Sequence, residues 1–228
     1  MRESRDIEYQ RLVYEIKNCT KCSLYKNRKN PVPGEGPINT EIVFVGEAPG
    51  KSEDEQGRPF VGAAGQLLTQ LIEKAGLKRK EVYITNIIKC RPPGNRDPKD
   101  DEIEACLPFL LRQLKLIKPK IVVALGRHAS RVLLSLSNIE FKSMHKQHGR
   151  VYRGSIDSVQ FKIMVTYHPA AALYKPPIRR SLEEDFSTIK ELVEEVKQSF
   201  STKEKRGLTL LDFFPKNHIS SKTKTNDY

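Results

Sequence analysis

The stretch from Glu41 to Gly65, EIVFVGEAPGKSEDEQGRPFVGAAG, constrains the fold more than any other part of the chain. Ile42 to Val45 is a short apolar run, mostly β-branched or aromatic, halted by Gly46. A helix would need more length, so the run reads as a buried strand. Gly46-Glu47-Ala48-Pro49-Gly50 breaks the strand, and Arg58-Pro59-Phe60-Val61-Gly62 leads into a helix that starts near Gly65. In an open α/β sheet, ligands bind beyond the carboxyl ends of such strands. Gly46 to Ser52 also imitates a phosphate-binding loop. It has three residues between its glycines where four are required, and a proline and a carboxylate where backbone amides should face phosphate. Nucleotide hydrolysis is set aside on that mismatch.

The remaining pattern alternates strands with helices. Ile7 to Lys17 has the spacing of a helix, ended by Asn18-Cys19-Thr20-Lys21-Cys22, and a Pro/Gly-rich irregular segment follows from Asn30 to Pro37. Val82 to Ile88 and Ile121 to Leu125 read as further strands. Asp100 to Lys115 is a helix with Ile103, Cys106, Leu107, Leu110, Leu111 and Leu114 on one face, bent at Pro108. A helix through Leu134 follows the third strand. Val151 to Arg153 is a hairpin arm, Phe161 to Thr166 the fourth strand, and Leu182 to Phe200 a last amphipathic helix. The expected fold is a three-layer α/β/α sandwich around a central, mostly parallel, four-stranded sheet. It occupies residues 1–200, with a disordered basic tail over 201–228.

Lys and Arg number 40 against 28 acidic residues, a net charge of +12, which makes a polyanionic partner plausible. No apolar run of about 18 residues and no signal peptide are present, so an intracellular, cytoplasmic and nucleoid-associated protein is expected. High Lys and Glu content without Trp fits a thermophile.

Four cysteines, Cys19, Cys22, Cys90 and Cys106, make the ligand count of a structural zinc site or a [4Fe–4S] cluster. Zinc usually takes two Cys-x-x-Cys pairs. One pair plus two dispersed cysteines favours iron–sulfur, although Cys106 also fits a buried thiol on an apolar helix face. In a parallel sheet, three loops meet at one edge: the loop after Gly46, Asn86 with the residues following it, and His168-Pro169. They gather Glu47, Asn86, His168 and Phe60, which suits a planar, hydrogen-bonding ligand: an aromatic face, a bidentate amide and an imidazole for developing negative charge. Singly, Asn86 could cap a turn, His168 could be an ordinary loop histidine and Phe60 could be core.

Five motifs in order, Cys-x-x-Cys, GEAPG, GRPFVG, TNIIKCRPP and HPAAAL, span roughly Tyr9 to Phe200. The chain resembles the family 4 uracil-DNA glycosylases, the thermostable, archaeal-like iron–sulfur type. The resemblance implies that Cys19, Cys22, Cys90 and Cys106 hold a [4Fe–4S] cluster, that Phe60 stacks on a flipped-out uracil, that Asn86 reads its pairing edge, and that His168 contacts its O2 side. The resemblance also places Ala48 and Pro49 on the same uracil-binding loop. The better-known uracil glycosylases carry an aspartate where this chain has Ala48, so the water-positioning residue is open between Glu47 and Asn86. Glu53 either crowds the uracil 5-position against the methyl of thymine or is a solvated loop acid. Leu173 falls where related enzymes place the wedge that fills the vacated stack. Lys51, Arg58, Arg91 and Arg96 stand on the same loops as candidates to hold phosphates.

The resemblance implies a monofunctional DNA glycosylase that opens base excision repair on uracil-containing DNA, and a monomer is expected. The alternative is a non-catalytic iron–sulfur or zinc nucleic-acid-binding module on the same fold. A covalent uracil-trapping branch is disfavoured, since Lys51 to Pro59 contains no histidine. In the tail, Gly207 to Phe214 resembles the sliding-clamp motif Gln-x-x-Leu-x-x-Phe-Phe, with Leu210, Phe213 and Phe214 at its apolar positions and Gly207 in place of glutamine. The competing reading is an apolar stretch that docks on the enzyme's own surface.

Overall fold

A computed structural model describes residues 2–205. The expected tail over 201–228 therefore lies mostly outside the described residues, and Leu210, Phe213 and Phe214 lie wholly outside them. The chain divides into a unit Met1–Val193 and a second unit from Glu194 onward. In the second unit, the described part continues the last helix to Lys205, five residues past the expected end.

The elements of the first unit follow the alternation of the sequence. They are α1 (Arg2–Lys17), β1 (Ile42–Gly46), α2 (Lys51–Gln56), α3 (Ala63–Lys74), β2 (Tyr83–Asn86), α4 (Asp100–Ile117), β3 (Ile121–Leu125), α5 (Arg127–Ser135), α6 (Met144–Gln147), β4 (Val151–Ile156), β5 (Val159–Thr166) and α7 (Pro169–Ala172), followed by α8 (Pro176–Lys205). The sheet has five strands in the order β2-β1-β3-β5-β4. All neighbours pair in parallel except β4 with β5. The expected hairpin arm is thus a full edge strand, and the sheet has one strand more than expected. Its exposed and half-buried positions alternate with Gly154 and Ile156, the pattern of a strand wet on one side.

Every residue of β1, β2 and β3 is buried, as a parallel sheet covered on both faces requires. Val43, Val45, Val122 and Ala124 face a core shared with Leu12 and Ile16 of α1, Leu110 and Leu114 of α4, and Leu133 of α5. Phe44 points the other way, onto Phe186 of α8, with ring centroids 6.0 Å apart and nearly parallel. Burying a large apolar side chain stabilises by about 1.5–3 kcal/mol, so these two layers fix the sheet that carries the loops. The chain leaves β1 toward β2 on one side and returns to β3 on the other. The crevice opened by that reversal, beyond the carboxyl ends of the strands, is where an α/β sheet binds ligands.

Candidate active site

Backbone register sets the first two groups. Gly46 ends β1 directly opposite Asn86, which ends β2. A Cβ at residue 46 would lie 2.4 Å from Asn86 Oδ1 and 2.6 Å from Phe60 Cζ, so only glycine lets these side chains approach. Phe60 is buried and holds a left-handed φ of +50°. Glu53 explains how. One carboxylate oxygen accepts from Val61 N at 2.8 Å and Gly62 N at 2.9 Å, and the other accepts from Gly50 N at 3.1 Å. Arg79 adds a bond from Nη2 to Pro59 O at 2.7 Å. Glu53 thus clamps the Phe60 loop, a duty absent from both readings of the sequence.

His168 follows β5 and caps α7, with Nδ1 accepting from Ala170 N at 3.1 Å. Its ring stacks on Phe60, centroids 5.5 Å apart. Burial pushes its pKa down to about 4, against the opposing pull of the Glu53 carboxylate. The ring is therefore neutral at neutral pH. Since Nδ1 is the acceptor, the proton sits on Nε2, which is a donor.

Asn86 is buried, and its Oδ1 has no hydrogen-bond partner. An orphaned buried acceptor costs about 1–3 kcal/mol, which a ligand donor would recover. Its backbone carbonyl accepts from the buried Lys89 Nζ at 2.7 Å, which also donates to Thr85 Oγ1 and Gln113 Oε1. Together Glu47, Ala48, Pro49, Glu53, Phe60, Asn86, Arg96 and His168 line one cleft of about 330 Å³, the size of a small-ligand site. All the expected uracil-binding residues meet there. Lys51, Arg58, Arg91 and Leu173 are not among the cleft-lining residues. Arg58 forks onto Glu35, Arg91 holds Asn95, and Arg96, though in the cleft, is paired with the buried Glu102 at 2.6 and 2.9 Å.

Glu47 is half-buried. Burial raises its pKa, His128 and Arg127 oppose that rise, and Asp97 adds to it. Asp97, Arg127 and His128 were missed in the sequence reading. Arg127 and His128 open α5 beyond the carboxyl end of β3, so the same strand-end rule that found the other three loops points to them. Gly126, φ +89°, is needed there because a Cβ would fall 2.8 Å from His168 Cβ.

The four cysteines line a second pocket, with Ile16, Leu24, Phe109, Arg28 and Lys89 around them. Burial raises the Cys22 and Cys90 thiols and pushes Cys106 up to about 12. Such thiols ionise only against a strong cation, as metal ligands do. Donors already aim at the sulfurs: Arg28 Nη1 lies 3.1 Å from Cys90 Sγ, and Lys89 N lies 3.3 Å from Cys106 Sγ. The residues fit a metal or metal–sulfur group.

Residues 33–193 match the family described as the Uracil DNA glycosylase superfamily. The chain belongs to that superfamily. It is 54% identical over 178 residues to a Type-4 uracil-DNA glycosylase of Saccharolobus solfataricus, covering 78% of this chain and 82% of that one. It is 49% identical to the Type-4 enzyme of Archaeoglobus fulgidus, covering 79% and 91%, and 42% identical to that of Thermotoga maritima, covering 78% and 91%. Type-5 uracil-DNA glycosylases match over less, 61% of this chain at 32% identity for that of Pyrobaculum aerophilum. The chain thus belongs with the Type-4 group of the superfamily. No described helix is long and apolar enough to cross a membrane.

Proposed function

We propose that the protein is a monofunctional uracil-DNA glycosylase that flips uracil from DNA and hydrolyses its N-glycosidic bond, leaving an abasic site for repair. The observation that carries this reading is the buried Asn86 carboxamide with an unpartnered Oδ1, beside the stacked Phe60 and His168 rings. Uracil presents an N3–H donor next to an O4 acceptor, the complement of that amide. Cytosine lacks the N3 proton and sets N4–H₂ beside an N3 acceptor, so the amide orientation that serves uracil does not serve it. Phe60 supplies the stacking face.

Bond cleavage gives an oxocarbenium-like sugar and a uracil anion. The neutral His168 donates Nε2–H to the O2 that gains charge, which fits the fixed acceptor role of Nδ1. Water adds at C1′, oriented by the half-buried Glu47, and its proton balances the departing base. Glu53, immobilised by three amides, forms a rigid wall of the cleft that supports exclusion of the thymine methyl. Lys51, Arg58, Arg91 and Arg96 remain the phosphate candidates, and Leu173, half-buried at the end of α7, the wedge. Arg58 has only an exposed pair to exchange for phosphate.

Cys19, Cys22, Cys90 and Cys106 would hold a [4Fe–4S] cluster, which cross-links the chain when bound. One Cys-x-x-Cys pair with two dispersed cysteines supports the larger inorganic core over a single zinc ion. The enzyme acts as a monomer in the cytoplasm, and Leu210, Phe213 and Phe214 engage a sliding clamp. Deleting residues 208–228 is expected to leave excision on short oligonucleotides unchanged and to end co-migration with the clamp.

The deciding experiment incubates the protein with uracil- and thymine-containing oligonucleotides and then treats them with alkali. Strand cleavage at uracil alone is expected. DNA bound but left intact would favour a non-catalytic module.

A further inference from the structure

We propose that Asp97 and His128 are positioning residues for the reaction, standing beside the Glu47 carboxylate at the cleft wall and acting on its charge from opposite directions. The proposal rests on the reading of Glu47 as the water-orienting group. One ligand atom from each of Glu47, Asp97 and His128 lies within 4.8 Å of the others. Glu47 lines the cleft, whereas Asp97 and His128 are absent from its lining. His128 is buried with 6% of its surface exposed, and its Nδ1 has no partner. Its Nε2 lies 3.3 Å from Asp97 Oδ2.

The trio is not a cation site, because a cation already stands in it. Arg127 Nη2 is 2.6 Å from Asp97 Oδ2 and 2.9 Å from His128 Nε2. The loop bearing Asp97 is fixed from behind, since Arg96 binds Asp97 O at 2.9 Å and grips the buried Glu102. Glu47 itself is pinned by its backbone, whose carbonyl accepts from Ile88 N at 3.1 Å. Charged groups therefore reach the Glu47 carboxylate from two elements, Arg127 and His128 from α5 and Asp97 from the loop before α4. Arg96, Glu53 and His168 share the cleft. Cationic character on α5 favours ionised Glu47, and the Asp97 carboxylate opposes it.

The test is the pH profile of the single-turnover excision rate for wild type, Glu47→Gln, Asp97→Asn and His128→Gln. Wild type should lose rate on an acid limb that Glu47→Gln removes. His128→Gln should move that limb to higher pH and Asp97→Asn to lower pH, each by about half a pH unit for partly solvated charges at this range. Opposite displacements are not the signature of a merely structural role. Asp97 is exposed and its replacement isosteric, so its displacement decides the matter even if His128→Gln unfolds. Unmoved or like-signed limbs, with the limb still abolished by Glu47→Gln, would overturn the proposal and leave the Glu47 reading intact. A limb that persists in Glu47→Gln would overturn both.

Discussion

At the scale of single residues, the site is a set of side chains held by partners of a different kind from themselves. Phe60 keeps a left-handed backbone because the Glu53 carboxylate takes three amide bonds around it. Glu53→Gln retains one acceptor oxygen and turns an NH₂ group on the remaining amides, so it should cost about 1–3 kcal/mol. Excision should fall with it, while binding to undamaged DNA persists; urea unfolding and fluorescence titration would read the two. His168 gives a second expectation. Its native pKa of about 4 lies below the ordinary value near 6.5, so the unfolded chain binds the proton more readily. This group subtracts nothing above about pH 6.5, and stability declines as pH falls from there toward 4. The acid unfolding midpoint of His168→Phe should shift to lower pH. Glu47, Asn86, Phe60 and His168 were legible because each stands at a strand end or in a Gly-flanked loop. The place of His128 beside Glu47 was not legible, since a histidine on the first turn of a helix declares nothing until its neighbours Asp97 and Glu47 are known.

At the scale of elements, strands announced themselves and short helices did not. β1 and β3 are apolar runs with no other way to be buried, and the apolar face of α4 repeats at helical spacing. α2, KSEDEQ, has no apolar face at all and is held by the Glu53 cap and a left-handed Gly57, so periodicity could not reveal it. β4 was read as an arm because only its pairing with β5, from Val151 opposite Met164 to Ile156 opposite Val159, makes it part of the sheet. The junction of the Phe60 loop with α3 carries its own prediction. A Cβ at Gly65 would fall 1.8 Å from Phe60 O, so Gly65→Ala must displace the loop or the helix. A destabilisation of about 1–3 kcal/mol is expected, with weakened uracil capture, measurable by thermal unfolding and product inhibition by free uracil.

At the scale of the whole molecule, the cysteine pocket and the cleft are two ends of one polar network. Lys89 donates to the Asn86 carbonyl on one side, and its backbone amide reaches Cys106 on the other. Through Gln113 and Tyr83 the same network reaches Tyr9 on α1. Segments far apart in sequence are joined there, so a group held by the four cysteines would stabilise the fold. Anaerobically purified protein is expected to be yellow-brown with about four irons per chain, and Cys90→Ser should lower the unfolding temperature as it loses colour. Colourless protein with stoichiometric zinc would refute the iron assignment. The central claim, that the cleft at the strand ends excises uracil with His168 bearing the leaving-group charge, is tested most directly by the single-turnover excision rate of His168→Ala on uracil-containing DNA. A loss of about 10²–10³-fold with uracil-DNA affinity largely kept is the predicted result. An unchanged rate, or no excision by the wild-type protein, would contradict it.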